Sequence, residues 1–417
     1  MQSVTSDWEE TNRSLFTRKA EIIVTIERAD GRTPFVNGTD IISFSHVKSG
    51  DILSGTLPQD KIIFTARNRN GRLDYNAEND NDVYENARVL VQEGFMNPAY
   101  TGYDGISGGL YYISDVKKDS RGERYQFTAQ TIISFMTEKC KDDAFSATNA
   151  YAMAQKVIAQ AEQSKGVPQS SITLICDKDI LQNVPVEMIE GTDNYSLAQT
   201  LQLIAAAAGC LLYTDRNGRI HIEKRNSVTE HYVLANKFLY STLSIEFAEK
   251  IGNVRIISNH GRSTGGTGFE GDKIGGEKTA TIPIITNSST VLDLSFYMYN
   301  ELTKGRKRFK AKCRFDPALD IFDIIVVPNG KEVSAAIVTS ISATFNGAWK
   351  ADIQAITISN AKFDLRISDI ELLTIEQFES LKIEQLEPNV ITDIDGDYLA
   401  SIDGELALWE DEQYGSI

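Results

Sequence analysis

Closely spaced β-strand patterns constrain the fold of this chain more than any other feature. Between residues 20 and 140, six runs rich in β-branched and aromatic residues alternate with turn signals such as Asn-Gly. Such runs, bounded by Gly, Asn and Asp, are typical of antiparallel strands joined by short turns. We therefore predict a barrel-like β domain over residues 1–141. It is expected to start with a short helix, because Ser6 and Glu9 have the spacing of a capping box.

The pattern becomes helical near residue 145. The segments ATNAYAMAQKVIAQAEQSKG and NYSLAQTLQLIAAAAG have apolar residues at helical spacing. A hairpin pattern follows the second segment directly, with an Asn-Gly turn at 217–218. We predict a small α+β domain over residues 142–228, whose second helix is capped near Asp193 or Asn194.

Strand patterns return at Val233 and continue to residue 360, and one of them is VLDLSF at 291–296. The glycine-rich segment 259–276 interrupts these strands. A phosphate-binding glycine loop requires a helix N-terminus after the glycines, whereas this segment leads into the strand pattern TATIPI. We therefore predict a hairpin tip or an inter-subunit arm there, within a second barrel-like β domain over residues 229–360.

These patterns together predict a mainly β chain with an α+β insert. It comprises two barrel-like antiparallel β domains, a small α/β domain and a repetitive C-terminal tail over residues 361–417. No run of about 18 apolar residues occurs, and the N-terminus has no apolar signal-peptide core, so neither a membrane span nor a secretion signal is expected. The four cysteines lie far apart, without CxxC spacing, which fits synthesis in a reducing cytoplasm.

The net charge of −16 is concentrated in the tail. Residues 361–417 contain fifteen carboxylates and three cations, Lys362, Arg366 and Lys382. The rest of the chain is therefore close to neutral, which argues against a free nucleic-acid-binding protein.

The tail consists of an eight-residue repeat. Written in rows of eight from Ile367, it has an acidic residue in the fifth column of every row and an aliphatic residue in the first. Repeats this short cannot bury a core alone. We therefore predict that they attach a partner through their apolar positions, which are Ile375, Phe378, Ile383, Leu386, Ile391, Ile394, Leu399 and Ile402.

Within the tail, Asp393, Asp395 and Asp397 have a spacing reminiscent of a calcium loop. A loop of the D-x-D-x-D-G type has its glycine after the third carboxylate, whereas Gly396 precedes it here. The spacing therefore disfavours calcium and favours an Asp-Gly turn between short strands. Before Pro388, residues 374–387 can form a helix on their own.

The segment KGRKRFKAKCRF (304–315) has the strongest local charge pattern. If it forms a strand, Phe309 and Cys313 point to one face while five cations point to the other: Arg306, Arg308, Lys310, Lys312 and Arg314. Five like charges on one face repel one another unless anions lie opposite. The pattern fits a solvated face, an interface with an acidic subunit, or the wall of a channel for an anionic polymer.

The sequence contains no recognisable catalytic or metal motif. Its four histidines lie far apart, without the spacing of a zinc site, and no GxSxG occurs. His221 alternates with Ile220 and Ile222 in the predicted hairpin, so we expect it on the surface. We predict no enzymatic activity, no cofactor and no metal, while a glycosidase pair of carboxylates about 5 to 10 Å apart leaves no motif in a sequence.

Three segments in order resemble the tail hub, or baseplate hub, proteins of bacteriophages. The run from DIISFSHVKSG to ARVLVQEGF is similar to their first β domain, with an N-x-x-G-R turn before an N-A-R-V strand. NYSLAQTLQLIAAAAGCLLYTDRNGRIHIEKR is similar to their small α/β domain. RFDPALDIFDIIVVPNG is similar to the start of their last β domain, with its D-P-x-L-x-x-x-D motif. Family members usually have Gly where this chain has Phe322.

This resemblance implies a structural virion protein without catalysis. It implies a homotrimer whose β domains form a six-fold-like ring between the tail tube or distal tail protein and the tail tip, spike or fibre protein. Such a ring leaves a passage for tape-measure protein and DNA, and the protein is assembled into the tail in the cytoplasm of the host bacterium. The alternative is a β-rich glycan-binding or cell-wall-degrading tail-tip protein.

Overall fold

The fold is described from a computed structural model. It covers Trp8 and residues 19–29, 31–37, 39–74, 84–96, 103–141, 147–168, 171–187, 195–225, 232–258, 275–304, 307–358, 372–380, 400–402 and 405–407. The leading helix predicted from Ser6 and Glu9 and most of the predicted tail lie outside these residues.

Strands dominate the described part of the chain, so the mainly β fold class is confirmed. In chain order they are β1 (Lys19–Glu27), β2 (Phe35–Asn37), β3 (Ile41–Ser49), β4 (Gln59–Arg67), β5 (Arg88–Met96), β6 (Tyr103–Lys118), β7 (Arg124–Gln130), β8 (Leu174–Cys176), β9 (Leu211–Thr214), β10 (Ile220–Glu223), β11 (Ser244–Phe247), β12 (Ile251–Ile257), β13 (Gly276–Thr281), β14 (Lys307–Arg314), β15 (Ile324–Asn329), β16 (Glu332–Phe345), β17 (Trp349–Thr357), β18 (Ala400–Ile402) and β19 (Glu405–Ala407).

The helices lie mainly between β7 and β14. They are α1 (Ala150–Gln163), α2 (Lys178–Gln182), α3 (Leu197–Ala208), α4 (Ser288–Lys304) and α5 (Ile375–Glu379), with 3-10 turns at Arg69–Gly71, Ile132–Phe135 and Asn236–Phe238. Helix α3 begins at a capping box between Ser196 and Gln199 and ends at Gly209, whose φ of 58° favours glycine. The cap predicted at Asp193 or Asn194 is therefore a few residues too early.

Twelve strands form one sheet, in the order β11-β14-β17-β16-β3-β4-β7-β6-β5-β1-β2, with β15 paired to β16. The antiparallel pair β3–β16, from Phe44 opposite Phe345 to Ser49 opposite Ser340, joins strands of the two predicted β domains. The sheet also curls, since an inward side chain of β3 reaches one of β5 although three strands separate them.

Two hydrophobic cores fill the molecule. The first lies inside the large sheet and contains aromatic side chains from both halves of the chain, among them Phe44, Phe127, Phe309 and Trp349. The second is built by α1, α3 and α4 together with β12 and the small sheet β8-β10-β9. The β9–β10 hairpin predicted around the Asn-Gly turn is present, with Ile220 opposite Thr214.

Two predictions for the segment between β11 and β14 are wrong. The sequence VLDLSF lies in helix α4, because Val291, Leu294 and Met298 are buried at helical spacing on one face. Strands β12 and β13 pair in parallel, and parallel strands need a crossover connection. Parallel pairing excludes a hairpin tip between these two strands. The inter-subunit arm stays a prediction, because the glycine-rich residues up to 274 lie outside the described part.

Candidate functional site: a cationic sheet face and a buried ionic junction

The predicted cationic strand is β14, between β11 and β17 in the large sheet. Its alternation is as predicted: Phe309, Ala311 and Cys313 are buried. Of the predicted cations, Arg308, Lys310 and Lys312 are exposed, Arg314 is half-buried, and Arg306 lies outside the described residues.

Neighbouring strands supply some counter-charge to β14. The Lys310 ammonium lies 2.8 Å from the carboxylate of Glu246 on β11. On the other side, Asp352 of β17 stands opposite Lys312, while Lys350 stands opposite Arg314. These two carboxylates are fewer than the cations around them, so the charge of this face is only partly balanced within the described residues. Exposed ion pairs of this kind also contribute little to stability, at most about 1 kcal/mol.

The same face continues across five further strands. The strand registers place outward side chains of β17, β16, β3, β4 and β7 in rows beside the β14 cations. Most are hydroxyl, amide or cationic: Lys350, Gln354, Ser340, Ser342, Thr344, Ser45, Ser49, Lys61, Thr65, Arg67, Arg124, Gln126 and Thr128. We call these residues, with Arg308, Lys310 and Lys312, the cationic sheet face.

The predicted attachment repeat is described only in part. Helix α5 lies in the second row of eight. Ile375 at its start is 74% exposed, and the Gln377 side-chain amide donates to the Gly330 carbonyl at 2.7 Å. The backbone of Ile402 lies in β18, which pairs with β19 around the Asp-Gly sequence at 403–404. The side chains of the other predicted repeat positions are not among those described: Phe378, Ile383, Leu386, Ile391, Ile394 and Leu399. Asp393, Asp395 and Asp397 also lie outside the described residues.

A group of charged residues that the sequence did not reveal lies on the inward side of the same sheet. The His46 ring is 3% exposed, with Nδ1 3.0 Å from Glu93 Oε1 and Nε2 3.0 Å from Asp60 Oδ1. The Tyr111 hydroxyl lies 2.7 Å from Nε2 and donates to the Gly108 carbonyl at 3.0 Å. Burial acts to lower the pKa of His46, but the two carboxylates outweigh it and the pKa is raised.

Lys48 extends this group towards the second half of the chain. Its ammonium lies 3.9 Å from Asp60 and 2.9 Å from Asp320. Asp320 also accepts from Arg216 Nε at 3.0 Å, and Arg216 donates to the carbonyls of Ser107, Pro317 and Leu319. Partial burial of Asp320 would by itself raise its pKa, but Lys48 and Arg216 hold that pKa well below the usual range.

The Asp-Pro motif that carried the family resemblance forms one wall of this group. Within it, Asp323 accepts from the Asp320 backbone N–H at 2.6 Å, and burial raises the pKa of Asp323 to about 6. Phe322 adopts a left-handed φ of 67°, the conformation for which glycine is favoured. Its ring occupies the space in which a Cβ on Gly50 would lie, 2.3 Å from Cζ.

His221 belongs to a similar arrangement on the β9–β10 hairpin, so its expected surface position is wrong. It is 9% exposed, with Nδ1 2.9 Å from Glu223 and Nε2 3.1 Å from Asp215. The Tyr213 ring stacks on it at 4.7 Å and also contacts Phe322. Burial opposes protonation, but Asp215 and Glu223 raise the pKa of His221.

These groups meet where three parts of the chain come together, and we call them the ionic junction: His46, Lys48, Asp60, Glu93, Tyr111, Asp215, Arg216, His221, Glu223, Asp320 and Asp323. The sequence of β3 contains one signal of the ionic junction. Phe44, His46 and Lys48 lie on the same face, and the apolar Phe44 indicates that this face points inward. Among the described residues, no cluster of His, Cys, Asp and Glu has the arrangement of a metal site. No helix among them is long and apolar enough to cross a membrane.

No protein-family model matches the chain, and no curated protein matches it. Solved structures do. The tail protein from Neisseria meningitidis MC58 is similar over 82% of this chain and 99% of its own, with a TM-score of 0.53 and 9% sequence identity. The 43 kDa tail protein of prophage MuSo2 from Shewanella oneidensis is similar over 81% and 98%, with a TM-score of 0.52 and 11% identity. The chain therefore has the fold of phage tail proteins, as the motif resemblance implied.

Proposed function

We propose that this chain, which shares its fold with phage tail proteins, is a structural component of a phage tail: the hub of its baseplate. In this role three copies form a ring that joins the tail tube to the distal tip or receptor-binding apparatus. The ring surrounds a passage for tape-measure protein and DNA. The protein is assembled into the virion tail in the bacterial cytoplasm and catalyses no reaction.

The observation that carries the proposal is the cationic sheet face. Cations attract phosphates at any sequence, and Ser, Thr and Gln side chains hold water beside a moving polymer. Aromatic side chains, which retain nucleic acid by stacking on bases, are absent from the residues that define this face. A long polar surface with scattered positive charge suits the wall of a passage through which an anionic polymer slides.

The outer edge of the large sheet supports contact between copies. Strand β11 ends the described sheet, and two large side chains are exposed beside it, Phe247 at 70% and Tyr240 at 57%. Uncovered strand edges with apolar side chains tend to pair with another chain. This edge of the sheet is therefore available for contact between copies.

Light scattering and negative-stain electron microscopy of the purified protein test the ring. We expect a trimer with a central opening, and a monomer without rings would overturn the hub function. The double variant Arg308→Glu/Lys310→Glu then tests the cationic sheet face. Loss of the ring would place β14 at a subunit interface, whereas intact rings with impaired DNA delivery would place it along the passage.

The control for charge reversal is Lys165→Glu/Lys278→Glu, which reverses two exposed cations outside the large sheet. It should leave both rings and delivery unchanged. If the β14 variant also retained rings, complete tails and delivery, the proposed role of the cationic sheet face would be wrong.

The acidic repeats are proposed to attach the distal tip. Removal of residues 381–417 leaves α5 and its hydrogen bond to Gly330 in place, so we expect rings of normal size and stability. We expect these rings to fail to recruit tip proteins in an assembly reaction monitored by electron microscopy. Complete tails formed with the truncated protein would refute this attachment role.

A further inference from the structure

Two histidines in this chain occupy the same unusual environment. Each ring nitrogen of His46 and of His221 lies within 3.1 Å of a carboxylate oxygen. An ionised carboxylate only accepts hydrogen bonds, so both nitrogens of each ring must donate. Only the imidazolium ion has two N–H groups, and the geometry therefore specifies the protonated form of both histidines.

A line of alternating charges connects the two rings. From His46 it passes through Asp60, Lys48 and Asp320 to Arg216, with successive separations of 3.0, 3.9, 2.9 and 3.0 Å. Arg216 is followed in the chain by the hairpin turn and preceded by Asp215, which lies 3.1 Å from His221. The line therefore crosses from β3 and β4 through the loop before β15 to the β9–β10 hairpin.

We propose that the ionic junction is a pH-dependent latch, which holds the β9–β10 hairpin against the loop 316–323 while His46 and His221 are protonated and loosens when they lose their protons. Neutral His46 leaves Lys48 as the cation that faces Asp60 and draws it away from Asp320. The loop 316–323, to which Arg216 of the hairpin is bound, then loses its ion pair with β3. Neutral His221 leaves Asp215 and Glu223 facing each other across an uncharged ring.

The charged and titratable neighbours of each ring act in the same direction. His46 faces Asp60 on β4, Glu93 on β5 and Tyr111 on β6, with Lys48 as the opposing cation on its own strand. His221 faces Asp215, Glu223 and the Tyr213 hydroxyl, which donates to Glu223 at 3.1 Å. Arg219 also forms an ion pair with Asp215, at 2.6 Å between Nη2 and Oδ2. In both places carboxylates outnumber the competing cations.

The sign of the pH effect follows from these contacts. The pKa of each histidine is raised in the closed structure above its ordinary value near 6.5. The contribution to closure is therefore complete below about pH 6.5 and is lost as the pH rises through the raised pKa. Apolar contacts of the hairpin persist, since Leu211 and Leu212 remain buried in the two cores. The change is accordingly a local opening of the hairpin rather than separation of the chain into domains.

Hydrogen exchange of the full-length protein, measured by mass spectrometry at pH 6 and pH 9, tests the latch. Protection of peptides from residues 211–223, corrected for the intrinsic pH dependence of exchange, should fall at pH 9, by about tenfold for each pH unit by which the closed structure raises a histidine pKa. Peptides from β14 and β17, which pair with each other and contain no residue of the ionic junction, should keep their protection. Equal protection of the hairpin at both pH values would overturn the proposal.

The double variant His46→Gln/His221→Gln removes the titrating groups but retains a side-chain donor at each position. We expect low hairpin protection at both pH values, and pH dependence equal to that of the unaltered protein would overturn the latch. Nitrogen NMR of the unaltered protein, labelled at histidine, gives a result that does not depend on variants. Two of its four imidazoles must lose their protons at a higher pH than a free imidazole does, and ordinary titration of all four would also overturn the proposal.

Discussion

The two faces of strand β3 place polar side chains in opposite environments. Ser45, Val47 and Ser49 point outward onto the cationic sheet face, whereas His46 and Lys48 point inward and are 3% and 4% exposed. Successive residues of a strand point to opposite sides of the sheet, so these five neighbours belong to two different environments. The outward face is wet and carries scattered cations, and the inward face is dry and every charge in it has a close partner.

The difference teaches that charge in this protein has two separate roles. A cation on the outward face stays hydrated, so its loss changes binding and assembly more than folding. The cations His46, Lys48 and Arg216 of the ionic junction have lost most of their water, which costs several kcal/mol unless partners replace it. Removal of one junction partner should therefore be far more destabilising than removal of one partner on the outward face.

The largest effect is expected for Asp320→Asn, which removes the anion shared by Lys48 and Arg216. Both cations would remain buried, since Lys48 is 5% and Arg216 10% exposed in their side chains. We expect a loss of about 3 to 5 kcal/mol in the free energy of unfolding, measured by urea denaturation at pH 7. A loss below about 1 kcal/mol would mean that water reaches the junction and that the contrast between the two faces is wrong.

An intermediate effect is expected for Gly50→Ala, which places a methyl group against the ring of Phe322. Overpacking of this kind costs about 1 to 3 kcal/mol. In the background of Phe322→Gly the ring is absent, so the added methyl should cost little. A double-mutant cycle by urea denaturation measures the coupling, and equal costs of Gly50→Ala in both backgrounds would show that the two sites are independent.

The same double-mutant cycle also measures how much Phe322→Gly alone lowers the free energy of unfolding. Loss of a buried phenyl ring destabilises by about 3 to 5 kcal/mol, while glycine at φ 67° relieves backbone strain of about 1 kcal/mol. We expect the packing loss to exceed the gain. The large side chain of Phe322 is thus accommodated by the missing side chain at Gly50.

The outward face was predictable from the sequence because it depends on local periodicity alone. The alternation in β14 fixes which residues point outward once the segment is a strand, and Arg308, Lys310 and Lys312 are indeed exposed. Helix α4 shows the limit of this reasoning. The six letters VLDLSF fit a strand, and only the buried positions Val291, Leu294 and Met298 over two turns reveal the helical period.

The ionic junction could not be predicted because its partners are distant in sequence. Lys48 and Asp320 are 272 residues apart, and no periodicity reports which strands face each other across a curled sheet. His221 was placed on the surface because the hairpin pattern does not reveal that Tyr213 and Phe322 cover the ring. The Asp-Pro motif did mark the right place, although the motif alone gave no role to Asp320.

The smallest effect is expected for the ion pair between Lys310 and Glu246, which is the outward counterpart of Lys48 and Asp320. Both pairs have an ammonium 2.8 to 2.9 Å from a carboxylate, but the side chains of Lys310 and Glu246 are 46% and 49% exposed. We expect Glu246→Gln to change the free energy of unfolding by less than about 1 kcal/mol, and the change should shrink further in 1 M salt, where screening acts within about 3 Å. The two pairs have nearly the same length, so the difference between the Asp320→Asn and Glu246→Gln effects reflects burial together with the second cation, Arg216, that Asp320 also binds. Effects of equal size would indicate that neighbouring copies cover the β14 face in solution, and dilution of the protein below its assembly concentration should then restore the difference.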